Sequence, residues 1–322
     1  MTMKILKIFG IIILILLAII VILLIALKVN HESKLRKEAE KFIPPGKMVE
    51  INGKMLHVFS KGQGDLTLVF MAGHGTSNPT LDFKPLWKRL VDDYRIAVVE
   101  KSGYGWSETS NTPRDLDTML EETRTALQKA GEQAPYVLMP HSMSGLEAIY
   151  WAQKYPDEIT AIIGLDPLIP ETYKVIPKPE KNQLFPMFLI SRLGVSRLMP
   201  ETDIVRNLPL MASDDLTEED KQNYLAVFYK SAFTKDMLRE IDFLSENVKT
   251  VTSNEMPLNT PMYFFISDAQ ESVAAGWNKA LMDYLTKINI GKSMQLSTSH
   301  YVHYEKSDLI GSEVKEFLVE LK

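Results

Sequence analysis

The sequence predicts an α/β fold: a mostly parallel central sheet flanked by helices, with a helical lid insertion and an N-terminal transmembrane helix. Three observations lead to this expectation. Strand and helix patterns alternate from Lys47 onward, residues 167–258 show helical patterns without a convincing strand, and residues 8–27 carry no charge. Alternation of strands and helices is typical of a parallel sheet covered on both faces.

The composition of the 322-residue chain is that of a globular protein, with 45% hydrophobic and 24% charged residues. A net charge of −5 gives no general basic surface, so no nucleic-acid partner is expected. The chain contains no cysteine. Disulfides, thiolate metal sites and a cysteine nucleophile are therefore excluded.

The apolar segment near the N-terminus is long enough to cross a bilayer. At 1.5 Å per residue, the 20 residues 8–27 match a hydrocarbon core of about 30 Å. A cleaved signal peptide has a shorter apolar region and a small-x-small cleavage site, which the residues after Ala26 do not offer. We expect a retained single-pass membrane anchor, with a transmembrane helix over residues 5–28 and a stalk and linker over 29–46.

The charges on the two sides of the anchor predict opposite membrane orientations. By the positive-inside rule, the heavier downstream flank favours a cytoplasmic domain; its basic residues are Lys28, Lys34, Arg36, Lys37 and Lys41. Short anchors preceded by lysines, here Lys4 and Lys7, often export the C-terminal domain instead. Both orientations stay open, with a preference for the extracytoplasmic one.

The remaining chain, residues 47–322, is expected to form one domain. It begins with a hairpin of strands 47–51 and 54–60 joined by an Asn52-Gly53 turn. Further strands are predicted over 67–72, 95–100, 136–139, 159–165, 262–266 and 293–296. Helices are predicted over 116–130 (ended by Gly131), 143–154, 273–288 and 312–321.

A candidate nucleophile lies where the strand 136–139 meets the following helix. Ser142 follows an apolar strand and opens an apolar helix, as in the strained turn that presents a nucleophilic serine. Glycine is usual two residues before and after such a serine, but here Pro140 and Ser144 occupy those positions. Ser144 is the rival nucleophile, although Leu146 is too bulky for that register. Alternatively, Ser142 merely caps a helix.

The glycine-rich loop after strand 67–72 is suited to holding an oxyanion. Such a site takes one backbone N–H from this loop and one from the residue after the nucleophile. Thr76 and Met143 are therefore the candidate oxyanion-hole donors. The alternative is that the loop is only a glycine turn after a strand.

The candidate general base is His300, which lies between the last predicted strand and the last predicted helix. A loop in that place can bring a base to a nucleophile on a neighbouring strand. His303 is the competitor and is expected to pack or to orient other groups. His141 adjoins Ser142 but is expected to point away from it; His31, His57 and His74 lie in the stalk, the hairpin and the glycine-rich loop.

From about Met48 to Lys322 the sequence resembles the lidded branch of the α/β-hydrolase superfamily. The motifs are His74-Gly75, residues 103–107, residues 140–145 and residues 300–305, in that family's order and spacing. The resemblance implies an α/β-hydrolase fold and covalent catalysis, with Ser142 as nucleophile, His300 as base, and Thr76 and Met143 as oxyanion donors. No H-E-x-x-H motif or phosphate loop occurs, so no metal or cofactor is expected.

The acid of the triad is the uncertain member. In this family it usually lies in a G-x-x-D turn after the strand that follows the lid, but this turn ends in Gln270, which has no carboxylate. Asp166 is preferred, because the haloalkane dehalogenase branch resembles this arrangement with an acid at the end of the strand before the lid. Asp268 is the alternative acid, and Asp166 has a second interpretation as a lid-entry turn before Pro167.

The function expected from these residues is that of a membrane-anchored serine hydrolase cleaving a carboxylic ester through a Ser-His-Asp triad and an acyl-enzyme. Its partners are a small-molecule acyl substrate, with a lipid favoured by the anchor, and the membrane. One alternative is a non-catalytic binding or signalling protein. Gln270 and the absence of glycine at positions 140 and 144 support it. A peptidase of the aminopeptidase type and an acyltransferase are further alternatives on the same machinery.

Overall fold

The computed structural model describes residues 2–206 and 208–321. Its centre is an eight-stranded sheet in the order β1-β2-β4-β3-β5-β6-β7-β8. The first two strands and the contact of β2 with β4 are antiparallel, and all other neighbours are parallel. The strands are β1 (Lys47–Ile51), β2 (Lys54–Lys61), β3 (Thr67–Met71), β4 (Arg95–Glu100), β5 (Tyr136–Pro140), β6 (Ile159–Leu165), β7 (Met262–Ser267) and β8 (Gly291–Leu296).

Helices cover both faces of this sheet, as the alternating pattern predicts. One buried cluster joins the strands to α4, α5 and α11, and the second joins them to α3 and α13. The helices are α1 (Thr2–Lys41), α2 (Pro79–Asp82), α3 (Lys84–Leu90), α4 (Leu116–Ala130), α5 (Ser144–Lys154), α6 (Lys181–Arg192), α7 (Glu201–Arg206), α8 (Glu218–Ser231), α9 (Lys235–Ser253), α10 (Asp268–Val273), α11 (Trp277–Leu285), α12 (Val302–Glu305) and α13 (Ser307–Glu320).

Local sequence signals explain several element ends. The Asn52-Gly53 turn has φ angles of 52° and 71°, the left-handed pair that a two-residue hairpin of this type needs. At the start of α4, the Asp115 side chain accepts a hydrogen bond from the Thr118 N–H. Gly131 ends α4 in the left-handed conformation, with φ 94°. The predicted hairpin and the predicted helix 116–130 are thus confirmed.

Two predicted helices have wrong boundaries. The predicted helix 273–288 is divided, because α10 ends at Val273 and α11 spans Trp277–Leu285. Gly276, with φ 94°, turns the chain between them. The predicted helix 312–321 starts earlier, at Ser307, and Gly311 lies inside α13 at a close approach to the Arg89 side chain.

The helical insertion occupies the chain between β6 and β7. Its described residues form α6 to α9 and several 3₁₀ turns, and none of them is in a strand. Thr217 and Thr234 cap α8 and α9 by accepting hydrogen bonds from backbone N–H groups. We refer below to residues 167–258 as the insertion.

The N-terminal helix α1 is continuous over 40 residues, about 60 Å at 1.5 Å per residue. It is long and apolar enough to cross a membrane, and none of its apolar stretch is buried. The structure therefore gives no support to the alternative of a buried core helix. The predicted stalk is helical as far as Lys41.

Parallel strands bring their carboxyl ends to one edge of the sheet, where ligands bind in open α/β folds. Here β3 leads into the glycine-rich loop, β5 into Ser142, β6 into Asp166 and β8 into the segment with His300. The fold therefore gathers the candidate residues at a single edge.

Candidate active site

Ser142 occupies a tight turn between β5 and α5. Its φ angle is 53°, in the left-handed region that residues other than glycine rarely adopt. The Ser142 carbonyl oxygen accepts hydrogen bonds from the N–H groups of Gly145 at 3.0 Å and Leu168 at 2.7 Å. These bonds hold the strained backbone in place, and the Ser142 side chain remains partly exposed.

Close packing around this turn requires small neighbours. A Cβ added to Gly73 would lie 2.8 Å from the Ser142 Cβ, and one added to Gly145 would lie 2.3 Å from the Leu168 carbonyl oxygen. Ser144, the rival nucleophile, is fully buried, and its hydroxyl contacts the carbonyl oxygens of Met71 at 2.6 Å and His141 at 2.8 Å. The Ser144 hydroxyl is thus engaged by the backbone.

Replacing Gly145 by alanine is expected to lower the free energy of unfolding by about 3 kcal/mol, because the new methyl group overlaps backbone that cannot rotate away. Denaturant titration of the full chain in detergent measures this loss. Gly53→Ala is the control: Gly53 has a positive φ (71°), but its added Cβ meets nothing within 4 Å. That variant should lose only about 1 kcal/mol of backbone strain. Equal losses in both variants would contradict the close-packing argument.

His300 and Asp166 form a hydrogen-bonded pair at the sheet edge. The His300 Nδ1–H donates to Asp166 Oδ2 at 2.7 Å, although the two residues are 134 positions apart. This bond fixes the imidazole tautomer and leaves Nε2 as the nitrogen that accepts a proton. The Asp166 side chain is fully buried, whereas that of His300 is 21% exposed.

Asp166 is held by further donors that the sequence analysis did not identify. Trp277 Nε1–H donates to Asp166 Oδ1 at 2.8 Å, and the Ser267 N–H donates to the same oxygen at 3.3 Å. The Ser267 hydroxyl donates to Asp166 Oδ2. These hydrogen bonds offset the cost of burying a carboxylate. Trp277 and Ser267 carry no motif, so only the three-dimensional structure reveals their contribution.

Asp268, the alternative acid, is bonded to residues other than His300. It accepts hydrogen bonds from the Ser297 hydroxyl at 2.8 Å and the Thr298 N–H at 3.0 Å, and these two bonds lower the pKa of its exposed carboxyl group. Gln270 belongs to the first turn of α10, where its N–H donates to the Ser267 hydroxyl at 3.3 Å. Of the two candidate acids, the structure brings Asp166 to His300.

Two other histidines pack beside the base. The ring of His141, which the sequence predicts to point away from Ser142, lies 4.7 Å from the His300 ring, and its Nε2 donates to the His300 carbonyl oxygen at 3.1 Å. Burial, together with His303 and His300, lowers the pKa of His141 well below its ordinary value, so the ring is neutral. His303 is fully buried between His141 and Phe83, in agreement with the packing role expected for it.

The backbone N–H groups of Thr76 and Met143 are available for a ligand. Among residues 2–206 and 208–321, neither N–H donates to a protein acceptor. The turn before Thr76 contains Gly75 with φ 84°, which glycine adopts without strain. Unpaired N–H groups at a loop and at a helix start are suited to stabilising negative charge.

A cavity of about 420 Å³ extends from this loop under the insertion. The loop contributes Gly75, Thr76 and Ser77, and Tyr301, the neighbour of His300, closes one side. Asp82 is the carboxylate in its lining. The insertion contributes mostly apolar side chains, namely Met187, Met199, Ile204, Leu208, Tyr224, Phe228 and Phe233. In the described part of the chain, no cluster of His, Cys, Asp and Glu side chains is arranged to hold a metal ion.

Comparison with known proteins identifies the family. The model of the family described as serine aminopeptidase, S33, matches residues 67–306, which is most of the chain. The chain belongs to this family. The matched region of this S33 member begins at β3 and includes the glycine-rich loop, Ser142, Asp166, the insertion and His300.

Two curated relatives illustrate the range of similarity. Uncharacterized protein YbdG of Bacillus subtilis (strain 168) is 34% identical over 319 residues, covering 97% of this chain and 97% of that protein. The 2-(acetamidomethylene)succinate hydrolase of Mesorhizobium japonicum is 28% identical over 118 residues, covering 37% of this chain and 41% of the relative. The first similarity includes the N-terminal helix as well as the S33 domain.

Solved structures show the same fold. An epoxide hydrolase from Vigna radiata superimposes with a TM-score of 0.66 at 18% identity, covering 85% of this chain and 97% of that one. A haloalkane dehalogenase variant from Bradyrhizobium elkanii gives a TM-score of 0.60 at 14% identity, covering 85% and 96%. The S33 member thus has an α/β-hydrolase fold, and its relatives support a hydrolase.

Proposed function

We propose that this chain is a membrane-anchored serine hydrolase that cleaves a carboxylic ester through Ser142, His300 and Asp166. The observation that carries this proposal is the 2.7 Å hydrogen bond from His300 Nδ1 to the buried Asp166 carboxylate, at the sheet edge where Ser142 is held in a strained turn. A buried aspartate, an oriented histidine and a presented serine are the three parts of an activated nucleophile.

The mechanism assigned to these residues has two covalent steps. His300 Nε2 takes the hydroxyl proton of Ser142 as the serine oxygen attacks the ester carbonyl carbon. The N–H groups of Thr76 and Met143 stabilise the oxyanion, and His300 then returns the proton to the leaving alcohol. Water, deprotonated by the same nitrogen, attacks the acyl carbonyl carbon; the bond to Ser142 breaks as His300 returns the proton to the serine oxygen, and the carboxylic acid is released. Asp166 stabilises the imidazolium form of His300 in both steps.

The cavity lining supports an apolar acyl group. Thr76 places a proposed oxyanion donor at the cavity wall, while most side chains from the insertion are aliphatic or aromatic. Apolar walls with few polar groups select for hydrophobic ligands. In this proposal the insertion acts as a lid over an acyl pocket, and the substrate is a lipophilic ester.

The membrane anchor is assigned to residues 5–28 of α1. Its apolar stretch is exposed on all sides, and water is a poor solvent for such a surface. A bilayer would cover this surface and would keep the domain close to lipophilic substrates.

A peptidase is the second candidate function, and two observations favour it. The chain belongs to a family described as serine aminopeptidases, and Asp82 places a carboxylate in the cavity wall. A carboxylate in an otherwise apolar cavity attracts an ammonium group, such as the free amino end of a peptide. However, the Asp82 carboxylate already has two partners: His303 Nε2 lies 3.3 Å from it, and the Tyr224 hydroxyl donates a hydrogen bond to it. Because these partners compete with an ammonium group, we favour the ester.

The test of the proposal is covalent labelling of the full chain in detergent by a fluorophosphonate probe, combined with a substrate panel. We expect labelling of the folded protein and none after heat denaturation. The panel contains p-nitrophenyl esters of increasing acyl length and an aminoacyl p-nitroanilide, and we expect faster turnover of the esters with an acyl chain longer than acetyl. Preference for the anilide would favour the peptidase, and a folded chain that is not labelled would favour a non-catalytic binding protein.

A further inference from the structure

The insertion exposes an unusual amount of apolar surface. In α6 the seven consecutive residues 184–190 are all apolar, and none of them is buried. The following turn, Val195–Leu198, leads to two more exposed apolar side chains. We define the apolar face of the insertion by Phe185, Met187, Leu189, Ile190, Leu198 and Met199. Exposed patches of this kind mark interaction surfaces, because soluble proteins rarely leave them open to water.

This apolar face adjoins the place where α1 docks on the insertion. His31, in the polar half of α1, is 1% exposed and lies against Gly194, which links α6 to the turn Val195–Leu198. A Cβ added to Gly194 would come within 2.5 Å of the His31 Cβ. The His31 side chain therefore packs so closely on the Gly194 backbone that a side chain at position 194 would overlap it.

Arg197 stabilises the contact between α1 and the insertion. Its two terminal nitrogens donate to the Glu38 carboxylate at 2.7 and 2.6 Å, and its Nε donates to His31 Nδ1 at 2.9 Å. The guanidinium also lies 4.0 Å from the centre of the Tyr229 ring. Burial and the charge of Arg197 lower the pKa of His31 to about 4, so His31 is neutral at pH 7 and its Nδ1 accepts the hydrogen bond. A bidentate ion pair of this geometry fixes orientation.

The docking point lies one helical turn beyond the apolar stretch of α1. His31 follows Leu27 by four residues, which is about 6 Å along the helix. The headgroup region of each leaflet is about 5–8 Å thick. With residues 8–27 in the hydrocarbon core, His31 and Gly194 would therefore lie at headgroup level.

The apolar face is also continuous with the cavity. Met187 and Met199 line the cavity, and their side chains are 45% and 47% exposed on the face. These two methionines therefore belong both to the apolar face and to the wall of the cavity that Thr76 also lines.

We propose that the apolar face of the insertion is a bilayer-contact surface and that lipophilic substrate enters the cavity through it, between Met187 and Met199, directly from the lipid. The occupant of this surface is the lipid leaflet into which α1 is anchored. The proposal deepens the proposed function and rests on it for the identity of the substrate, but the contact with lipid is tested without catalysis.

The first test measures lipid contact directly. The chain has no cysteine, so Leu198→Cys provides a single thiol for a fluorescent label on the full chain in phosphatidylcholine vesicles. We expect spin-labelled phosphatidylcholine to quench this label at least two-fold. Val319→Cys is the matched control, because Leu198 and Val319 are both 65% exposed and Val319 lies on α13. No quenching at position 198, or equal quenching at both positions, overturns the proposal. Quenching that depends on the density of protein in the vesicles and not on the spin label also overturns it, because it indicates that a second copy of the chain covers the face.

The second test measures delivery of substrate. Leu198→Glu is expected to slow hydrolysis of a long-chain ester embedded in the vesicles about ten-fold, because a charge at the face disfavours insertion into lipid. Hydrolysis of a short soluble ester should not change, and Val319→Glu should change neither rate. Unchanged long-chain turnover in Leu198→Glu overturns the proposal. A wild-type chain that hydrolyses neither ester defeats the proposed function instead, and the quenching result stands apart from it.

Discussion

Ser142→Ala is expected to lower kcat for ester hydrolysis about a million-fold, because the covalent step loses the hydroxyl that attacks the carbonyl carbon. The substitution removes one oxygen from a partly exposed side chain and leaves the turn intact, so the melting temperature should stay within error of the wild type. Steady-state turnover of a soluble p-nitrophenyl ester, with fluorophosphonate labelling in parallel, measures the effect.

Ser144→Ala is the matched control for this variant. It deletes a hydroxyl two residues away that contacts the carbonyl oxygens of Met71 and His141. We expect it to keep labelling and most of its turnover but to lose about 1–2 kcal/mol of stability, as a buried hydrogen bond is lost. The assignment of Ser142 fails if Ser142→Ala retains full activity or if Ser144→Ala is the variant that is no longer labelled.

Asp166→Asn is expected to lower kcat about 10⁴-fold, the second-largest effect. Asparagine keeps the shape of the side chain and an oxygen for the Trp277 N–H, but it carries no charge to stabilise the His300 imidazolium. Its amide also favours the wrong tautomer of the His300 ring. Comparison of kcat for the variant and the wild type over a range of pH values measures the loss.

Asp268→Asn is the control, because the two aspartates are the rival acids and only Asp166 contacts His300. Asp268 bonds to Ser297 and Thr298 instead, so the change should reduce kcat by no more than a few-fold. A larger loss in Asp268→Asn than in Asp166→Asn would reverse the assignment. Similar small losses in both would mean that neither aspartate is the triad acid.

The sequence predicts the strands and the chemistry that follows them because both leave local patterns. Short apolar runs predict the buried parallel strands, and the residues after those runs come together at one edge of the sheet. The pairing of Asp166 with His300 follows from their places after β6 and β8, so the preferred acid is also the one that the structure brings to the histidine.

Contacts between distant segments leave no such pattern. Trp277 donates to Asp166 across 111 positions, and Arg197 reaches His31 across 166 positions. Neither pair has a characteristic spacing, since each depends on how whole helices pack. The same reason accounts for His141, whose contact with the His300 loop depends on the path of the chain after β8. The break between α10 and α11 is different, because Gly276 is a local signal for it.

If α1 is anchored as we propose, its continuity sets the distance between the cavity and the lipid. No break interrupts the helix between the apolar stretch and His31, so each residue between Leu27 and His31 corresponds to about 1.5 Å of separation. None of the apolar stretch is buried, so in the proposed arrangement α1 can turn about its axis in lipid without changing that separation. The domain would then be free to move sideways and to rotate about the membrane normal, whereas its distance from the lipid is set by the number of residues in one short helical segment. A lipid substrate of the proposed kind would then reach this domain at a surface density rather than at a bulk concentration.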